Sequence, residues 1–343
     1  MTPTTIPLAA LRTHLDRLAQ EALVLWDLPA QAHARLINVS ENFTYLVEAG
    51  GGFRAVLRVH REDYHSRRAI SSELAWMDAL GRDNVIELAT PYPGRDGRVL
   101  QSATSAALPT PRHLVLFQFV AGTQPSETED LTAAFRQLGL MAARMHLHAM
   151  QWQLPEGFER PVWDEHAVFG PKAIWGDWRN APGVDHAMRP LLEQTEQTLR
   201  ARLAAYGKRP SRFGLIHADM RLANLLVDGT DTRLIDFDDC GFGWFMYDFA
   251  AAISFIETDP AIPALKTAWL SGYRSIRDLP EPDADEIDTF IMLRRMALLA
   301  WIGSHIEAPE PQAMAPHFAA GTTQLARDWL ARQPAPDARA TAR

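Results

Sequence analysis

Residues 213–240 read FGLIHADMRLANLLVDGTDTRLIDFDDC and carry the most specific pattern in the sequence. The apolar run from Phe213 to Ile216 is typical of a buried strand, and His217-Ala218-Asp219 follows it directly. Asn224 comes five residues after Asp219, and a second apolar run then leads through an Asp-Gly turn to Asp236. The stretch therefore predicts a strand–loop–strand–strand unit that ends in an acidic cluster.

The chemistry of this unit lies in its carboxylates and its amide. Carboxylates at the ends of paired strands, with an amide beside them, can share one polar pocket. Phosphoryl transfer needs such a pocket, because one carboxylate receives the hydroxyl proton and oxygen ligands hold magnesium on the triphosphate. For any single Asp, an ordinary turn is an equally good explanation. The ordered set of His-x-Asp-x4-Asn, two strands and a further Asp is much more specific than its members.

The ordered set resembles the catalytic and metal-binding loops of the aminoglycoside phosphotransferase and choline kinase family, whose members are relatives of the protein kinases. Tyr247-Asp248-Phe249-Ala250 is similar to the Tyr-Asp-Leu-Ala-like helix start of that family. Within the family, the chain is similar to the homoserine kinase type II and bacterial stress-response kinase branch. The resemblance implies an α+β, bilobal, protein-kinase-like fold, with a small antiparallel-sheet N-lobe and a mostly helical C-lobe.

The resemblance also implies roles for the residues of the motif. Asp219 is then the catalytic base, His217 braces its loop, and Asn224 and Asp236 hold Mg²⁺. Arg221 stands where protein kinases place a lysine that steadies the γ-phosphate, and a solvated arginine is the alternative interpretation.

Two further carboxylates near the motif have less specific interpretations. Asp238 either assists the metal or meets a cationic acceptor, and an ordinary turn carboxylate explains it equally well. Asp248 opens a predicted helix and is interpreted as a helix cap or as a brace for the catalytic loop.

The N-terminal third contains a candidate nucleotide site. Ala55-Val56-Leu57-Arg58 resembles the Val-Ala-Ile-Lys strand of protein kinases, with Arg58 replacing lysine and Glu73 on the next helix as its partner. An arginine still offers phosphates a planar fork of donors. The sequence has no Gly-x-Gly-x-x-Gly loop, but residues 39–45, VSENFTY, resemble the Ser/Gly-x-Glu-Asn-x-x-Tyr loop of homoserine kinase relatives. This resemblance implies Ser40 as a phosphate contact, with a polar turn as the alternative. Backbone groups near Gln118 and Val120 are expected to bind adenine.

The chain divides into a strand-rich first third and a helix-rich remainder. Gly50-Gly51-Gly52 predicts a hairpin turn, because glycine adopts positive φ without steric cost. By the resemblance, a nucleotide-binding lobe with a leading helix spans 1–120, a helical catalytic and acceptor lobe spans 121–333, and a disordered tail spans 334–343. We predict strands over 35–39, 43–48, 53–59, 98–101 and 113–119, and helices over 8–23, 66–80, 131–150, 188–206, 244–256, 262–273, 283–306 and 316–332.

Composition excludes several classes of protein. The net charge of the 343 residues is −8, and no basic stripe stands out, so nucleic acid is not expected as a partner. A single cysteine, Cys240, excludes an internal disulfide framework and fits a reducing compartment. Neither a secretory signal nor an apolar run of membrane-spanning length is recognisable, so we expect a cytoplasmic protein without membrane contacts.

The predicted function is ATP-dependent transfer of the γ-phosphate to a hydroxyl of a small metabolite, such as an amino alcohol or homoserine. A Ser/Thr protein kinase and a non-catalytic nucleotide-binding scaffold remain alternatives, the latter because of Arg58. Arg179 and Arg295 favour a carboxylate on the acceptor, whereas acidic and aromatic residues favour a cation, and the sequence does not choose. The oligomeric state is left open, and His60 and His65 are expected at the surface. The residues that could line such a cation-binding cleft are Trp163, Asp164, Trp175, Asp177, Trp178, Trp301 and His305, and core packing between helices is the alternative interpretation of the aromatic ones.

Overall fold

The structure is a computed structural model that describes residues 7–39, 42–62, 64–126, 129–229 and 231–333. Its chain falls into two compact units. Unit 1 comprises the described residues of Met1–Thr123, Gln153–Arg160 and Asp228–Asp238. Unit 2 comprises those of Gln124–Trp152, Pro161–Val227 and Asp239–Arg343. Ser40 and the predicted tail, 334–343, lie outside the described residues.

Unit 1 is built on a five-stranded antiparallel sheet, as predicted, with the strand order β1-β2-β3-β5-β4. The hairpin between β2 and β3 turns at Gly51 and Gly52, whose φ angles of 72° and 75° favour glycine. β4 begins three residues later than predicted, because a turn held by the Asp96 carboxylate occupies the preceding residues. The elements are α1 Leu8–Ala22, β1 His33–Val39, β2 Asn42–Ala49, β3 Phe53–His60, α2 Arg67–Arg82, β4 Gln101–Ala103 and β5 Arg112–Gln118.

Both faces of β3 are buried, which determines where its polar side chains lie. Ala55, Leu57 and Val59 belong to an apolar cluster that also contains residues of α1 and β2. Successive side chains of a strand point to opposite faces, so Arg58 and His60 lie on the other face of the sheet. They are nonetheless 5% and 3% exposed. The sequence therefore buries two ionisable side chains in unit 1.

Unit 2 is mostly helical, as predicted. Gly139 of α3 and Gly272 of α7 lie where these two helices touch, and a Cβ atom on Gly272 would stand 1.9 Å from the Arg136 carbonyl oxygen. The contact between α3 and α7 therefore depends on glycine at that position. The helices are α3 Thr132–Gln151, α4 Glu165–Phe169, α5 Arg189–Tyr206, α6 Tyr247–Ala252, α7 Ile262–Arg274, α8 Glu281–Asp285, α9 Ile287–Ser304 and α10 Pro309–Ala331.

The strands that carry the 213–240 motif are short. β7 Phe213–Ile216 lies at one edge of a three-stranded sheet with the order β6-β10-β7, where β6 is Val162–Trp163 and β10 is Gly241–Trp244. β8 Leu225–Asp228 and β9 Asp231–Leu234 form a two-stranded sheet. Together β7, β8 and β9 give the predicted strand–loop–strand–strand order.

Two helix predictions were wrong at their starts. The helix predicted over 244–256 is preceded by β10, since Gly241 and Gly243 let this strand lie close to Pro161 and Ile216. α10 begins at Pro309, not at Pro316, because proline is tolerated in the first turn of a helix. Among the helices in the described part of the chain, none combines the length and apolar character that a membrane crossing requires.

Candidate active site

The loop that carries Asp219 contains a residue in the left-handed region. Ala218 has φ 65°, a conformation that costs a non-glycine residue about 1–2 kcal/mol. The buried carboxylate of Asp248 compensates, since it accepts hydrogen bonds from the N–H groups of Ala218 at 2.7 Å and His217 at 3.2 Å. The His217 ring in turn accepts a hydrogen bond from the Asp219 N–H through Nδ1, at 3.2 Å. Asp248 thus braces the loop, which agrees with one of its two predicted interpretations.

A chain of buried hydrogen bonds holds Asp248 in place. Arg277 donates to the Tyr273 hydroxyl at 2.6 Å, so that hydroxyl donates to Nδ1 of His146 at 3.0 Å. Nε2 of His146 therefore carries the proton and donates to Asp248 at 3.0 Å. Burial lowers the pKa of His146 more than Asp248 raises it, so the imidazole is neutral. This series of hydrogen bonds could not be predicted from the sequence, because Asp248 and His146 are 102 residues apart.

Three donors surround the carboxylate of Asp219, whose side chain is 14% exposed. Asn224 donates from Nδ2 to Oδ2 at 2.7 Å and to the Asp219 carbonyl oxygen at 2.9 Å. Arg294 donates to Oδ1 at 2.8 Å. Nε of Arg221 lies 3.4 Å from Oδ2, while its Nη1 donates to Glu310 at 2.9 Å. The structure therefore brings together Asp219, Asn224 and Arg221, which the motif predicted, and adds Arg294.

Arg294 was missed, because sequence analysis regarded it only as a break in an apolar helix. It is 2% exposed and also donates to the Ser254 hydroxyl at 3.0 Å. Burial by itself lowers the pKa of its guanidinium, but Tyr247 and the carboxylates of Asp219 and Asp239 together raise it by more, so the side chain stays charged. A charged residue in a buried helix must have a partner. Arg294-Arg295 within an apolar run was therefore the available signal.

In unit 1 the structure brings Arg58 and Glu73 together, as predicted. Nη2 of Arg58 donates to Glu73 at 2.6 Å, and Nη1 donates to Asp236 at 3.2 Å. Burial by itself lowers the pKa of Arg58, but Glu73, Asp238 and Asp236 together raise it by more, so the guanidinium stays charged. The Glu73 carboxylate is completely buried, and burial raises its pKa although Arg58 opposes the shift. The pair is a buried cationic fork between two carboxylates.

Asp236 stands just beyond β9 with a side chain that is 45% exposed. Its φ of 64° lies in the left-handed region, which non-glycine residues adopt rarely. The next residue, Phe237, is buried and packs edge-on against Trp76, with the ring centroids 5.7 Å apart. This turn buries the phenylalanine and leaves the Asp236 carboxylate accessible on one side of Arg58.

Asp238 was predicted as a third metal ligand, and its surroundings do not suit that role. It is 4% exposed, its Oδ2 accepts from Asn42 at 2.7 Å, and its Oδ1 lies 3.6 Å from Arg58. Burial by itself would raise the pKa of Asp238, but the neighbouring Arg58 outweighs burial and holds the pKa below its ordinary value. A carboxylate that already faces a guanidinium and an amide is a poor ligand, so these contacts do not favour the predicted metal role of Asp238.

His60 and His65 were expected at the surface, and this was wrong. Both are buried beside Asp238, with ring nitrogens 3.6 and 3.7 Å from its carboxylate. Nε2 of His65 also contacts the Asp238 carbonyl oxygen at 2.8 Å, and Arg160 donates to the same oxygen. Burial, assisted by Arg58, lowers the pKa of His60 well below its usual value. Strand alternation places His60 on the same buried face as Arg58.

Unit 1 also contains a cavity of about 300 Å³, lined by residues 87–89 and 119–121 and by Asp228, Arg233 and Leu234. Val120 lines it, and no backbone hydrogen bond joins Val120 or Ala121 to another described residue. Gln118 does not line it, since this residue still belongs to β5 and its N–H donates to the Thr90 carbonyl at 2.8 Å. The adenine contacts expected near Gln118 and Val120 stay predictions.

The residues predicted for an acceptor pocket divide into two groups. Arg179 is paired with Asp177, Glu193 and Glu196, and Arg295 with Glu257 at 2.6 Å, so acids already neutralise both arginines. Several others have structural contacts. The Asp164 side chain accepts from two N–H groups that begin α4, and the Asp177 side chain accepts from one N–H group of the next turn. The Trp178 indole donates to Glu196, and Trp301 stacks on His305. The Trp163 indole donates to the Asp239 carbonyl at 2.7 Å, and its ring centroid lies 5.1 Å from that of Trp175. The Trp175 ring centroid also lies 5.2 Å from the guanidinium carbon of Arg294.

Comparisons with known proteins agree with this arrangement. The model of a family described as "Phosphotransferase enzyme family" matches residues 33–279. A solved structure of a microcompartment-associated aminopropanol kinase is 44% identical, covers 92% of this chain and 97% of its own, and has a TM-score of 0.85. Amicoumacin kinase of Bacillus subtilis is 22% identical over 83% of this chain and 84% of its own length.

A likeness in fold extends to more distant structures. The structure of an amicoumacin kinase in complex with AMP-PNP and Ca²⁺ has a TM-score of 0.75 at 19% identity, and covers 93% of this chain and 96% of its own. The predicted α+β, protein-kinase-like fold is thereby confirmed. From the family match and the 44% identical relative together, the chain belongs to the phosphotransferase enzyme family and is a kinase.

Proposed function

We propose that the chain is an ATP-dependent, magnesium-requiring kinase that transfers the γ-phosphate to the hydroxyl group of a small amino alcohol. The observation that carries this proposal is the 44% identity to an aminopropanol kinase over 92% of the chain. The surroundings of Asp219 support it, since a largely buried carboxylate with three donors is held in one orientation. Fixed orientation is what hydroxyl positioning requires.

The nucleotide is proposed to bind unit 1. A partly apolar cavity of about 300 Å³ with unbonded backbone groups at Val120 and Ala121 suits a flat heteroaromatic base. Arg58 is proposed to contact the α- and β-phosphates while Glu73 holds it in place. Ser40 remains a proposed phosphate contact, and it lies outside the described residues.

The proposed metal ligands are Asn224 and Asp236, and their chemistry fits Mg²⁺. Nδ2 of Asn224 faces Asp219, so the amide oxygen is the ligand atom. The accessible carboxylate of Asp236 is a second oxygen donor. Carboxylate and amide oxygens suit hard cations such as Mg²⁺, whereas zinc favours histidine and cysteine. When bound, the ion neutralises negative charge on the triphosphate.

Asp219 is proposed to accept the hydrogen bond of the acceptor hydroxyl and then its proton. The acceptor oxygen forms a bond to the γ-phosphorus while the bond from phosphorus to the bridging oxygen breaks, and ADP leaves with that electron pair. Because the transition state of such transfers is loose, orientation of the hydroxyl contributes more than its complete deprotonation. The contacts of Asn224 and Arg294 supply that orientation.

The acceptor is proposed to be an amine and not an amino acid. A homoserine-like acceptor needs a cation for its carboxylate, and the two arginines that favoured one are neutralised by acids. A Ser/Thr protein is the alternative acceptor, and the test below includes it.

The test is Mg²⁺- and ATP-dependent ADP release with aminopropanol, homoserine, an aminoglycoside and a generic protein as acceptors. We expect turnover with aminopropanol and a loss of about 10²–10⁴-fold in Asp219→Asn, the range for general acid–base residues. Asp288→Asn, an exposed carboxylate paired with Lys266, is the matched control and should retain full activity. Turnover of homoserine or protein alone would contradict the amino alcohol, and turnover unchanged in Asp219→Asn would contradict the role of Asp219.

A further inference from the structure

Arg294 contacts Asp219 through one of its two terminal nitrogens. Nη2 donates to Asp219 and Nε donates to Ser254, at 2.8 and 3.0 Å. Nη1 is buried and forms no hydrogen bond of good geometry within the described part of the chain, although the Tyr247 hydroxyl is a hydrogen-bonding neighbour of this guanidinium. A planar guanidinium holds Nη1 rigidly next to Nη2. A buried cationic nitrogen with two N–H groups therefore lies beside the Asp219 carboxylate, and the Tyr247 hydroxyl can accept from at most one of them.

Two more polar atoms near this guanidinium are buried without a hydrogen bond of good geometry. The Tyr247 hydroxyl, whose oxygen can accept from Arg294, and the Trp175 indole nitrogen are buried, and neither has an acceptor of good geometry for its own proton among the described residues. Their rings lie 5.8 and 5.2 Å from the guanidinium carbon of Arg294. Buried polar groups in native proteins are normally paired. Three neighbouring groups, each with a donor proton that lacks an acceptor of good geometry, therefore indicate a ligand.

The donors restrict the chemistry of that ligand. An N–H group of arginine or tryptophan can only donate, so the ligand must present acceptor atoms. An ammonium group has no lone pair and is repelled by the guanidinium, so this is not the place where an acceptor amine binds. Charge-assisted hydrogen bonds are strongest to anionic oxygens. The ligand is therefore an oxyanion that arrives beside Asp219.

We infer that Nη1 of Arg294 and the Tyr247 hydroxyl bind non-bridging oxygens of the phosphoryl group as it reaches the acceptor, and bind the phosphomonoester product. This inference rests on the proposed function, which brings a phosphoryl group to Asp219. In the transfer the acceptor oxygen bonds to phosphorus, the bridging bond to ADP breaks, and the hydroxyl proton passes through Asp219 to solvent. Arg294 exchanges no atom or electron; it stabilises charge on the oxygens.

Arg294 and Tyr247 lie on different elements, which makes this subsite a product of tertiary packing. Arg294 belongs to α9, and Tyr247 is the first residue of α6. Trp175 comes from the irregular segment between β6 and α5. A donor set fixed by three separate elements is preorganised, and preorganised donors act most strongly where charge develops in a reaction.

The experiment compares Arg294→Lys with its neighbour on the same helix, Arg295→Lys. Both arginines are buried, and Arg295 is bonded to Glu257 and Thr322. A lysine at 294 keeps the positive charge and an ion pair with Asp219 but lacks the second nitrogen. Calorimetric titration with aminopropanol and with its O-phosphate distinguishes phosphoryl binding by Arg294 from a role that is limited to holding Asp219. The two ligands differ in the phosphoryl group, which the O-phosphate alone carries.

For Arg294→Lys we expect O-phosphate affinity to fall at least tenfold while aminopropanol affinity changes less than about twofold. In the same variant kcat should fall by about 10²-fold, as when one preorganised donor is removed, with the KM for ATP unchanged. Arg295→Lys should keep both affinities and kcat. Equal weakening of the two ligands, or unchanged O-phosphate affinity, would show that Arg294 only braces Asp219 and would overturn the inference.

A second variant and a second ligand test the inference if Arg294→Lys does not fold or if no amino alcohol is phosphorylated. Should Arg294→Lys fail to fold, Tyr247→Phe removes one hydroxyl and should lower O-phosphate affinity severalfold; unchanged affinity would reject the subsite. Inorganic phosphate, titrated into the ADP-saturated protein, probes the same donors without an acceptor. Its binding in the wild type and loss in Arg294→Lys would support the subsite even if no amino alcohol is phosphorylated, so failure of the proposed function remains distinguishable.

Discussion

The Asp248 carboxylate accepts a hydrogen bond from the backbone N–H of Ala218 at 2.7 Å. This contact compensates for the left-handed backbone of Ala218, the residue just before Asp219. The position of the proposed catalytic base therefore depends on a buried carboxylate 30 residues away from Ala218 along the chain.

Asp248→Asn should destabilise the protein and reduce activity. Each carboxylate oxygen of Asp248 accepts from one of the two backbone N–H groups. Whichever oxygen is replaced by the amide nitrogen, one of these buried donors loses its acceptor, at a cost of about 1–3 kcal/mol. Thermal unfolding and kcat measure the two effects. The matched control is Asp164→Asn, because asparagine still caps α4 and the change should cost less than about 1 kcal/mol. Equal melting temperatures for the two variants would contradict a special role for Asp248.

His146 should make stability depend on pH. Its folded pKa is lowered from the usual 6.5, so below that pH the unfolded chain binds a proton that the folded protein does not. The free energy of unfolding should therefore fall as the pH drops below about 6.5, with a slope of up to about 1.4 kcal/mol per pH unit from this group. Urea unfolding between pH 5 and 8 measures it.

His146→Gln is the comparison for that experiment. Glutamine can still donate to Asp248, but it does not titrate. We expect a smaller slope for this variant over the same pH range. Identical slopes for the wild type and His146→Gln would show that other groups cause the dependence.

Arg58 should be necessary for both stability and nucleotide affinity. Arg58→Met leaves the completely buried Glu73 without its cation, and breaking a buried pair costs about 3–5 kcal/mol. Arg58→Lys keeps the charge, but a single ammonium cannot replace a fork that contacts Glu73 and Asp236. We expect a smaller stability loss for Arg58→Lys, with a severalfold increase in the KM for ATP. Wild-type ATP kinetics in Arg58→Lys would contradict the phosphate role.

Gly272 should be indispensable for the contact between α3 and α7. A Cβ atom would lie 1.9 Å from the Arg136 carbonyl oxygen, a backbone atom that cannot move without displacing α3. Gly272→Ala should therefore cost at least the 1–3 kcal/mol typical of overpacking. Gly81→Ala, in α2 with open space around it, should stabilise by about 0.5–1 kcal/mol. Denaturant unfolding compares the two, and equal effects would contradict the packing argument.

Contacts between residues close in the chain were predictable. Asp219 and Asn224 are five residues apart in one loop, and Arg58 and Glu73 belong to a strand and the helix after it. In each pair the residue types and their order restricted the possible partners. The boundary errors at β4, at β10 and at the start of α10 have local causes, namely a turn, two glycines and first-turn prolines.

The family, the order of elements and the residues of the motif could be predicted from the sequence, because these depend on local pattern and spacing. The contact between Arg294 and Asp219, which are 75 residues apart, and the positions of His60 and His65 beside Asp238 became evident in the folded protein alone. Periodicity shows which face of an element is apolar, but it does not show which distant element covers that face. The partners of buried charges are therefore decided by packing.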